Sequence, residues 1–427
     1  MYNKLTLNVK SILFISPFIM LMLKDLILYK NVQWSRVPGS SAWQGTGTTN
    51  YLTVALTLMS LICVIILSWK IYSKNQKVFS SWFNANLVIV LLATTAWTLI
   101  TFLEIGVKTT LYLSSSPVVY FTLLAVIIGI DESIWKRLTK IAPILALINI
   151  GLSYYYYFSF SSMYDGIPSG NSPILTYFIT GFWFLAISVL GYEGKGRKYK
   201  LMIYMLIVVC LILSVVIYSR GWMIQCIILL FIASFTLAGK SGFVKFLKTA
   251  TIIGVIGGLT FYILETHYGN SLLALTEKFG RDTRTFQYIE IFNQTPIYQF
   301  ILGGGVNARY YLQSYGEYAY IDNQYIFTSF RYGFFILLPY LYFFLSALKL
   351  LWKSNVELNK RAGAFIILMW LFALGGLSVY NGIVIDMKNI ILPIVAGRFI
   401  FLMNNNIERQ PIYIQQKSGS YKNINKL

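Results

Sequence analysis

Apolar runs of 18 or more residues recur from one end of this 427-residue chain to the other. A transmembrane helix needs roughly 20 apolar residues to cross a hydrocarbon layer of about 30 Å. Only 12% of the residues are charged, half of the roughly 25% that is typical of soluble domains. The runs predict an all-α polytopic membrane protein. They exclude a soluble enzyme, a secreted disulfide scaffold, a disordered chain and an alternating β-barrel.

Twelve spans fit the apolar runs, and they leave one large loop between the ninth and the tenth span. The predicted spans are 11–28, 51–69, 83–104, 109–130, 141–160, 173–191, 201–218, 222–239, 249–265, 325–347, 362–382 and 386–403. We expect residues 1–403 to form a single transmembrane domain and residues 404–427 to form a polar cytoplasmic tail. The loop at 266–324 is rich in aromatic residues, so we expect it to fold on the outer membrane surface.

The net charge of +20 is distributed unevenly along the chain. With the N-terminus inside, the predicted inner segments hold 23 of the 35 Lys and Arg residues but only five of the 15 acidic residues. Cytoplasmic loops of membrane proteins are enriched in Lys and Arg in this way. The charge therefore predicts that both termini are cytoplasmic, and it gives no support for a nucleic-acid partner.

Arginines on the predicted outer side run against this bias. They are Arg220 in YSRGW, Arg281 and Arg284 in EKFGRDTRTFQY, Arg309 in LGGGVNARYY and Arg331 about six residues inside span ten. A charge inside a membrane is costly, so it usually faces a cavity or a partner. Guanidinium groups bind phosphate bidentately. Ion pairs with nearby carboxylates, or contacts with lipid phosphates, are the alternative.

The outer loop holds further candidate residues. If residues 281–292 are helical, Arg281, Arg284 and Tyr288 share one face, and Phe286 and Ile289 point elsewhere. Tyr311 and Tyr315 belong to an aromatic cluster that is suited to stacking on sugar rings. The run Gly303–Gly305 is not a Walker A loop, because no G-K-[ST] follows it. It is either a tight turn or a nest of backbone N–H groups for a phosphate.

Several catalytic classes find no support in the sequence. The single histidine, His267, has no Cys–His or Ser–His–Asp set around it. The three cysteines, Cys63, Cys210 and Cys226, fall inside spans and have no metal-ligand spacing. The outer carboxylates form no D-x-D pattern, so we expect a metal-independent protein without a cofactor.

The outer-side pattern resembles the O-antigen polymerase (Wzy) family and the related O-antigen ligases. Ser219-Arg220 stands at the outer end of a mid-chain span, and a long outer loop carries arginines followed by a glycine-rich turn. The loop ends in Asp322-Asn323, with nine residues between this dipeptide and Gly333. Ligases usually carry His-Asn at the dipeptide. Asp322 at that position favours a polymerase.

The resemblance implies a glycosyltransferase of the bacterial inner membrane, in lipopolysaccharide biosynthesis. Such enzymes join oligosaccharide repeat units carried on undecaprenyl pyrophosphate at the periplasmic face, with a flippase, a chain-length regulator and membrane lipids as partners. Arg220, Arg281 and Arg284 would stabilise the leaving pyrophosphate, and Asp282 or Asp322 would act as the base. Arg309, Arg331, Asn323, Tyr288, Tyr311 and Tyr315 would bind substrate.

Two other functions stay open at this point. A ligase that transfers glycan to the lipid A core would share the donor site and differ in its acceptor. A twelve-span flippase for lipid-linked oligosaccharides would instead carry charged residues through its spans and lack a large structured outer loop.

Overall fold

The computed structural model describes residues 2–36, 42–112, 116–164, 166–168, 172–191, 196–237, 283–313, 316–319, 321–353, 358–377 and 385–402. Within these ranges the chain is predominantly helical, and eight helices are long and apolar enough to cross a membrane. The protein is therefore a membrane-embedded all-α protein.

The eight candidate spans are α1 (Tyr2–Leu28), α2 (Tyr51–Lys74), α3 (Ser81–Ile105), α6 (Glu132–Ser161), α7 (Pro173–Leu190), α8 (Arg197–Val216), α9 (Arg220–Leu237) and α13 (Phe334–Trp352). The shorter helices are α4 (Val107–Tyr112), α5 (Ala125–Ile128), α10 (Thr283–Gln294), α11 (Ile297–Leu302), α12 (Gln324–Tyr332), α14 (Leu358–Phe372) and α15 (Met387–Gly397). A 3₁₀ helix, Pro117–Leu124, precedes α5, and π-helical turns, Ala373–Leu377 and Arg398–Leu402, extend α14 and α15.

Seven of the predicted spans, the first three and the fifth to the eighth, coincide with candidate spans. Predicted spans eleven and twelve fall on α14 and α15 with their π-helical turns, which are shorter than the eight candidates. The ninth predicted span, 249–265, lies outside the described residues, as do the tail 404–427 and the first part of the large loop.

The prediction of one continuous helix at 109–130 is wrong. The segment is divided between α4, the 3₁₀ helix and α5, because Pro117 lacks the N–H that a continuing helix needs. Most residues from Pro117 to Ile128 are buried inside the protein. A Cβ on Gly397 would overlap the carbonyl oxygen of Val126, so the backbones of α5 and α15 lie in direct contact.

The prediction of one continuous helix at 325–347 is also wrong. Gly333 has a φ of +85°, a left-handed conformation that ends α12 before α13 begins. Arg331 consequently lies on a separate nine-residue helix rather than six residues inside a span.

Two small sheets complete the fold. Strands β1 (Gln33–Arg36) and β2 (Ala42–Thr46) pair antiparallel, with Trp34 opposite Gly45, and β2 pairs parallel with β3 (Ile167–Pro168). Strands β4 (Tyr310–Leu312) and β5 (Gly316–Tyr318) form an antiparallel hairpin in which Tyr311 lies opposite Glu317.

These contacts define one side of the bundle, which we call the loop face. The first sheet joins the chain after α1 to the chain before α7. Lys24 donates a hydrogen bond to the Ile385 carbonyl, which places the end of α1 beside the start of α15. The Trp222 ring lies 5.7 Å from that of Phe178, so α9 begins beside the first turns of α7.

Candidate functional site

Residues 283–332 form a compact unit on the loop face, which we call the platform. It consists of α10, α11, the β4–β5 hairpin and α12. Its small core is separate from that of the bundle and contains Ile291, Ala308, Tyr310, Leu312, Ile321, Phe327 and Phe330. The segment predicted to fold on the membrane surface therefore has its own packed interior in the part that the structure describes.

Two glutamines of α10 hold the hairpin in place. The buried Gln287 donates to the Tyr310 hydroxyl at 2.7 Å and accepts from the Asp322 N–H at 3.1 Å. Gln294 binds both backbone groups of Tyr311, each at 2.7 Å. Because one helix fixes both the hairpin and the Asp322 backbone, the residues of the platform keep a defined arrangement.

The glycine run is a tight turn. The N–H groups of Gly303, Gly304 and Gly305 donate to the carbonyls of Gln299, Phe330 and Arg331 at 2.8–2.9 Å. A Cβ on Gly303, whose φ is +94°, would lie only 2.7 Å from the Arg331 carbonyl oxygen. All three N–H groups are occupied by the protein, so the geometry favours the turn over the phosphate nest.

Arg331 is a buried cation that forms no ion pair within the described part of the chain. Arg331 is 7% exposed. One Nη donates to the Ala319 carbonyl at 3.0 Å, the Phe327 ring lies 4.6 Å from the guanidinium carbon, and Nε has no partner. Burial lowers the pKa of Arg331 and outweighs the interactions with Tyr332 and Tyr120, which raise it, although an arginine stays protonated. A buried charge left in this state is costly unless a ligand compensates it.

After burial and the two tyrosines, the charge of Arg309 is the smallest of the influences on the pKa of Arg331, so Arg309 is within electrostatic range of it. Its side chain is 59% exposed, and its contact with Glu317 is long, at 3.8 Å. Tyr311, two residues further along the strand, is 57% exposed, while Tyr310 between them is buried. Alternation along β4 thus puts Arg309 and Tyr311 on one exposed face. The structure brings a cation and an aromatic ring together there.

Asp322 and Asn323 enter α12. The Asn323 side-chain oxygen accepts the N–H groups of Tyr325 and Ile326, at 2.9 and 3.2 Å, as an N-cap. Its amide nitrogen donates to the Gly375 carbonyl at 2.8 Å. Asn323 therefore ties α12 to the π-helical turn, and its predicted contact with substrate stays a prediction. Asp322 is half-buried. The pKa of Tyr310 is raised by burial and, to a lesser extent, by the negative charge of Asp322.

Arg220 is half-buried and begins α9 on the loop face. The helices α9 and α12 contact the same π-helical turn, Ala373–Leu377. Tyr218, just before the Ser219-Arg220 pair, has a φ of +54°, which non-glycine residues rarely adopt. This turn fixes where Arg220 stands relative to the end of α8.

The remaining predicted residues are less fully defined. Arg281, Asp282 and Tyr315 lie outside the described residues. The backbone of Arg284 is in the first turn of α10, but its side chain is outside the description. Tyr288 packs against the platform core and is half-buried, whereas Phe286 and Ile289 are exposed, as the helical spacing predicted.

The sequence alone did not predict a buried group of four charges, although each of these residues is visible in it. Lys24 and Asp25 at the end of α1 pair at 2.8 Å, and Lys388 and Asp386 at the start of α15 pair at the same distance. All four are at most 8% exposed. We call them the charge quartet. The two pairs lie about 360 residues apart in the chain, so no local pattern could join them.

Glu104 is a further carboxylate near the platform. A Cβ on Gly305 would lie 3.4 Å from Glu104 Oε1, so this carboxylate at the end of α3 borders the glycine turn. No group of three or more His, Cys, Asp or Glu side chains suited to a metal ion occurs among the described residues.

Comparison with protein-family models, curated proteins and solved structures finds no match to this chain.

Proposed function

We propose that this protein is a glycosyltransferase that polymerises oligosaccharide repeat units carried on undecaprenyl pyrophosphate, as O-antigen polymerases do. The observation that carries the proposal is the pair of arginines on the platform. Arg331 is buried and forms no ion pair with any described residue, and Arg309 is exposed within electrostatic range of it. Two neighbouring guanidiniums match a ligand with two phosphates.

The proposed reaction uses that charge at the leaving group. A hydroxyl oxygen of the acceptor unit bonds to the anomeric carbon of the donor glycan. The bond from that carbon to the phosphate oxygen breaks, and its electron pair leaves with undecaprenyl pyrophosphate. Arg309 and Arg331, together with Arg220, Arg281 and Arg284, would stabilise the developing negative charge. The hydroxyl proton passes to a carboxylate, for which Asp282 and Asp322 remain the candidates.

The surroundings of the pair suit a sugar substrate. Tyr311 shares the exposed face of β4 with Arg309, so a sugar ring next to the pyrophosphate could stack on it. Tyr288 and Tyr315 remain proposed contacts further along the glycan. We also propose that the loop face is periplasmic, in a bacterial inner membrane with both termini cytoplasmic, because the basic segments predict the other face as the inner one.

A gel of surface lipopolysaccharide from a strain lacking this gene tests the proposal. Cores that carry a single repeat unit would show that transfer to the core survives and that polymerisation is lost. Cores without any repeat unit, together with long lipid-linked polymer, would identify a ligase instead.

One observation favours a second candidate, a flippase for lipid-linked oligosaccharides. The charge quartet places two lysines and two carboxylates in the membrane-embedded bundle, as in many transporters. The same gel separates this candidate, because a flippase defect leaves cores bare and traps single repeat units on the cytoplasmic side.

A further inference from the structure

The helices α10 and α11 expose apolar side chains outside the candidate spans. On α10, Phe286, Ile289 and Phe292 are 42%, 51% and 57% exposed, and on α11, Ile297, Ile301 and Leu302 are 78%, 47% and 61% exposed. The spacing puts each set on one side of its helix, while Gln287 and Ile291 of α10 face the platform core. We call these six residues the apolar strip.

The position of α11 shows what lies next to the strip. A Cβ on Gly303, at the end of α11, would lie 2.7 Å from the Trp97 ring. Trp97 stands eight residues before the end of α3, which is about 12 Å along a helix. A Cβ on Gly333, directly before α13, would lie 2.6 Å from the Ile301 carbonyl oxygen. The end of α11 therefore lies beside α3, about 12 Å before the end of that helix, and beside the residue at which α13 begins.

The strip is also continuous with the lipid-facing surface of those spans. Phe334 and Phe335 at the start of α13 are 40% and 44% exposed, and Leu103 near the end of α3 is 87% exposed. Exposed apolar side chains on candidate spans face the hydrocarbon. The apolar side chains at the end of α11, which borders both spans, would meet the same lipid.

We propose that α10 and α11 lie in the membrane surface, with the apolar strip inserted among the lipid headgroups and upper acyl chains. An amphipathic helix binds a membrane in this way through its apolar face. The inference holds whatever reaction the platform performs. It places Arg309 and Tyr311 close to the headgroup layer, where a lipid-linked pyrophosphate would reach them without leaving the membrane.

Spin labels on single cysteines test this proposal in the full-length protein reconstituted into phosphatidylethanolamine–phosphatidylglycerol vesicles. Ile289→Cys, Phe292→Cys and Ile301→Cys probe the strip, in a background with Cys63, Cys210 and Cys226 replaced by serine. Leu103→Cys is the lipid-exposed control, and Glu317→Cys, on the exposed hairpin, is the water-exposed control. The readout is relaxation by oxygen, which concentrates in lipid, against relaxation by a water-soluble nickel chelate.

The proposal predicts that the strip labels resemble Leu103→Cys, with an oxygen-to-nickel ratio several-fold above that of Glu317→Cys. Strip labels that resemble Glu317→Cys would place the helices in water and overturn the proposal. Protection from both reagents, with spin–spin broadening between protomers, would also overturn it, because a second copy would then cover the strip. Three separate positions keep the test valid if one variant misfolds.

Discussion

Among the described residues of the loop face, the charge quartet and the platform both contain buried positive charge, but only the quartet pairs it with carboxylates. In the charge quartet, Lys24 and Lys388 each lie 2.8 Å from a carboxylate. In the platform, Arg331 is buried to a similar degree, and its neighbours are the Ala319 carbonyl, the Phe327 ring and the Tyr332 side chain, with no carboxylate in an ion pair among the described residues. A nearby carboxylate compensates a buried lysine, whereas a buried charge without one lowers stability until an anion arrives. The difference suggests structure for the quartet and ligand binding for the platform.

The comparison predicts the largest loss of stability in the quartet. Asp25→Asn leaves Lys24 buried without its carboxylate, which should lower the free energy of unfolding by about 3–5 kcal/mol. Thermal unfolding of the purified protein in detergent measures this loss. Lys136→Ala removes an ion pair whose side chains are 74% and 54% exposed, and should cost less than about 1 kcal/mol. Equal losses in the two variants would mean that the quartet is not a structural clamp.

The opposite result is expected at Arg331. Arg331→Met removes a charge that has no ion pair, so the melting temperature should change little or rise. Polymer formation should fall by about 100-fold or more, as when a donor to a developing anion is removed. Polymer length on a lipopolysaccharide gel gives the activity, and Arg331→Lys should restore little of it. A large loss of stability with normal polymer would assign Arg331 to the structure instead.

A smaller effect is expected at two helix caps, where it distinguishes a role in stability from a role in polymer formation. Asn323 and Asn50 cap α12 and α2 in the same way, through their side-chain oxygens. Either residue changed to Ala should lower stability by about 1 kcal/mol. Only Asn323→Ala should also shorten the polymer, because Asn323 ties α12 to the π-helical turn beneath the platform. If Asn50→Ala shortened the polymer equally, general destabilisation would explain both variants.

The smallest effect lies at the opposite face, where Lys10 pairs with Asp131. Burial raises the pKa of Asp131, but hydrogen bonds from Lys10 and Ser133 outweigh it, so the pKa lies below its ordinary value of 3.8. A lowered pKa stabilises the fold above the unfolded-state value and loses this effect as the pH falls through the folded-state value. Stability should therefore drop below about pH 4, by less in Lys10→Met. If the stability of Lys10→Met falls with pH as much as that of the unaltered protein, the Lys10–Asp131 pair does not cause the loss.

Seven of the candidate spans follow from the sequence because hydropathy over about 20 residues is a strong local signal. Breaks within apolar runs are harder to predict. Gly333 could have continued a helix, and only its +85° φ and its contact with Ile301 show that the chain turns there. Pro117 did offer a local signal, which the surrounding apolar residues obscured.

The candidate site was predictable in its residue types and less so in its arrangement. The outer-side arginines were identified by their departure from the charge bias. The burial of Arg331, the bond from Asn323 to Gly375 and the contact of α1 with α15 depend on contacts between distant parts of the chain, which no local pattern records. Gly303–Gly305 show the same limit, because both interpretations of the run required glycine.

The most direct test of the proposed function is a polymerisation assay with the purified protein in proteoliposomes. The substrate is the lipid-linked repeat unit extracted from a strain that lacks the gene, with EDTA in a parallel reaction. The account predicts lipid-linked products of two or more repeat units, release of one undecaprenyl pyrophosphate for each bond formed, no effect of EDTA and no product with Arg331→Met. Repeat units that remain single with the unaltered protein, or full activity with Arg331→Met, would contradict it.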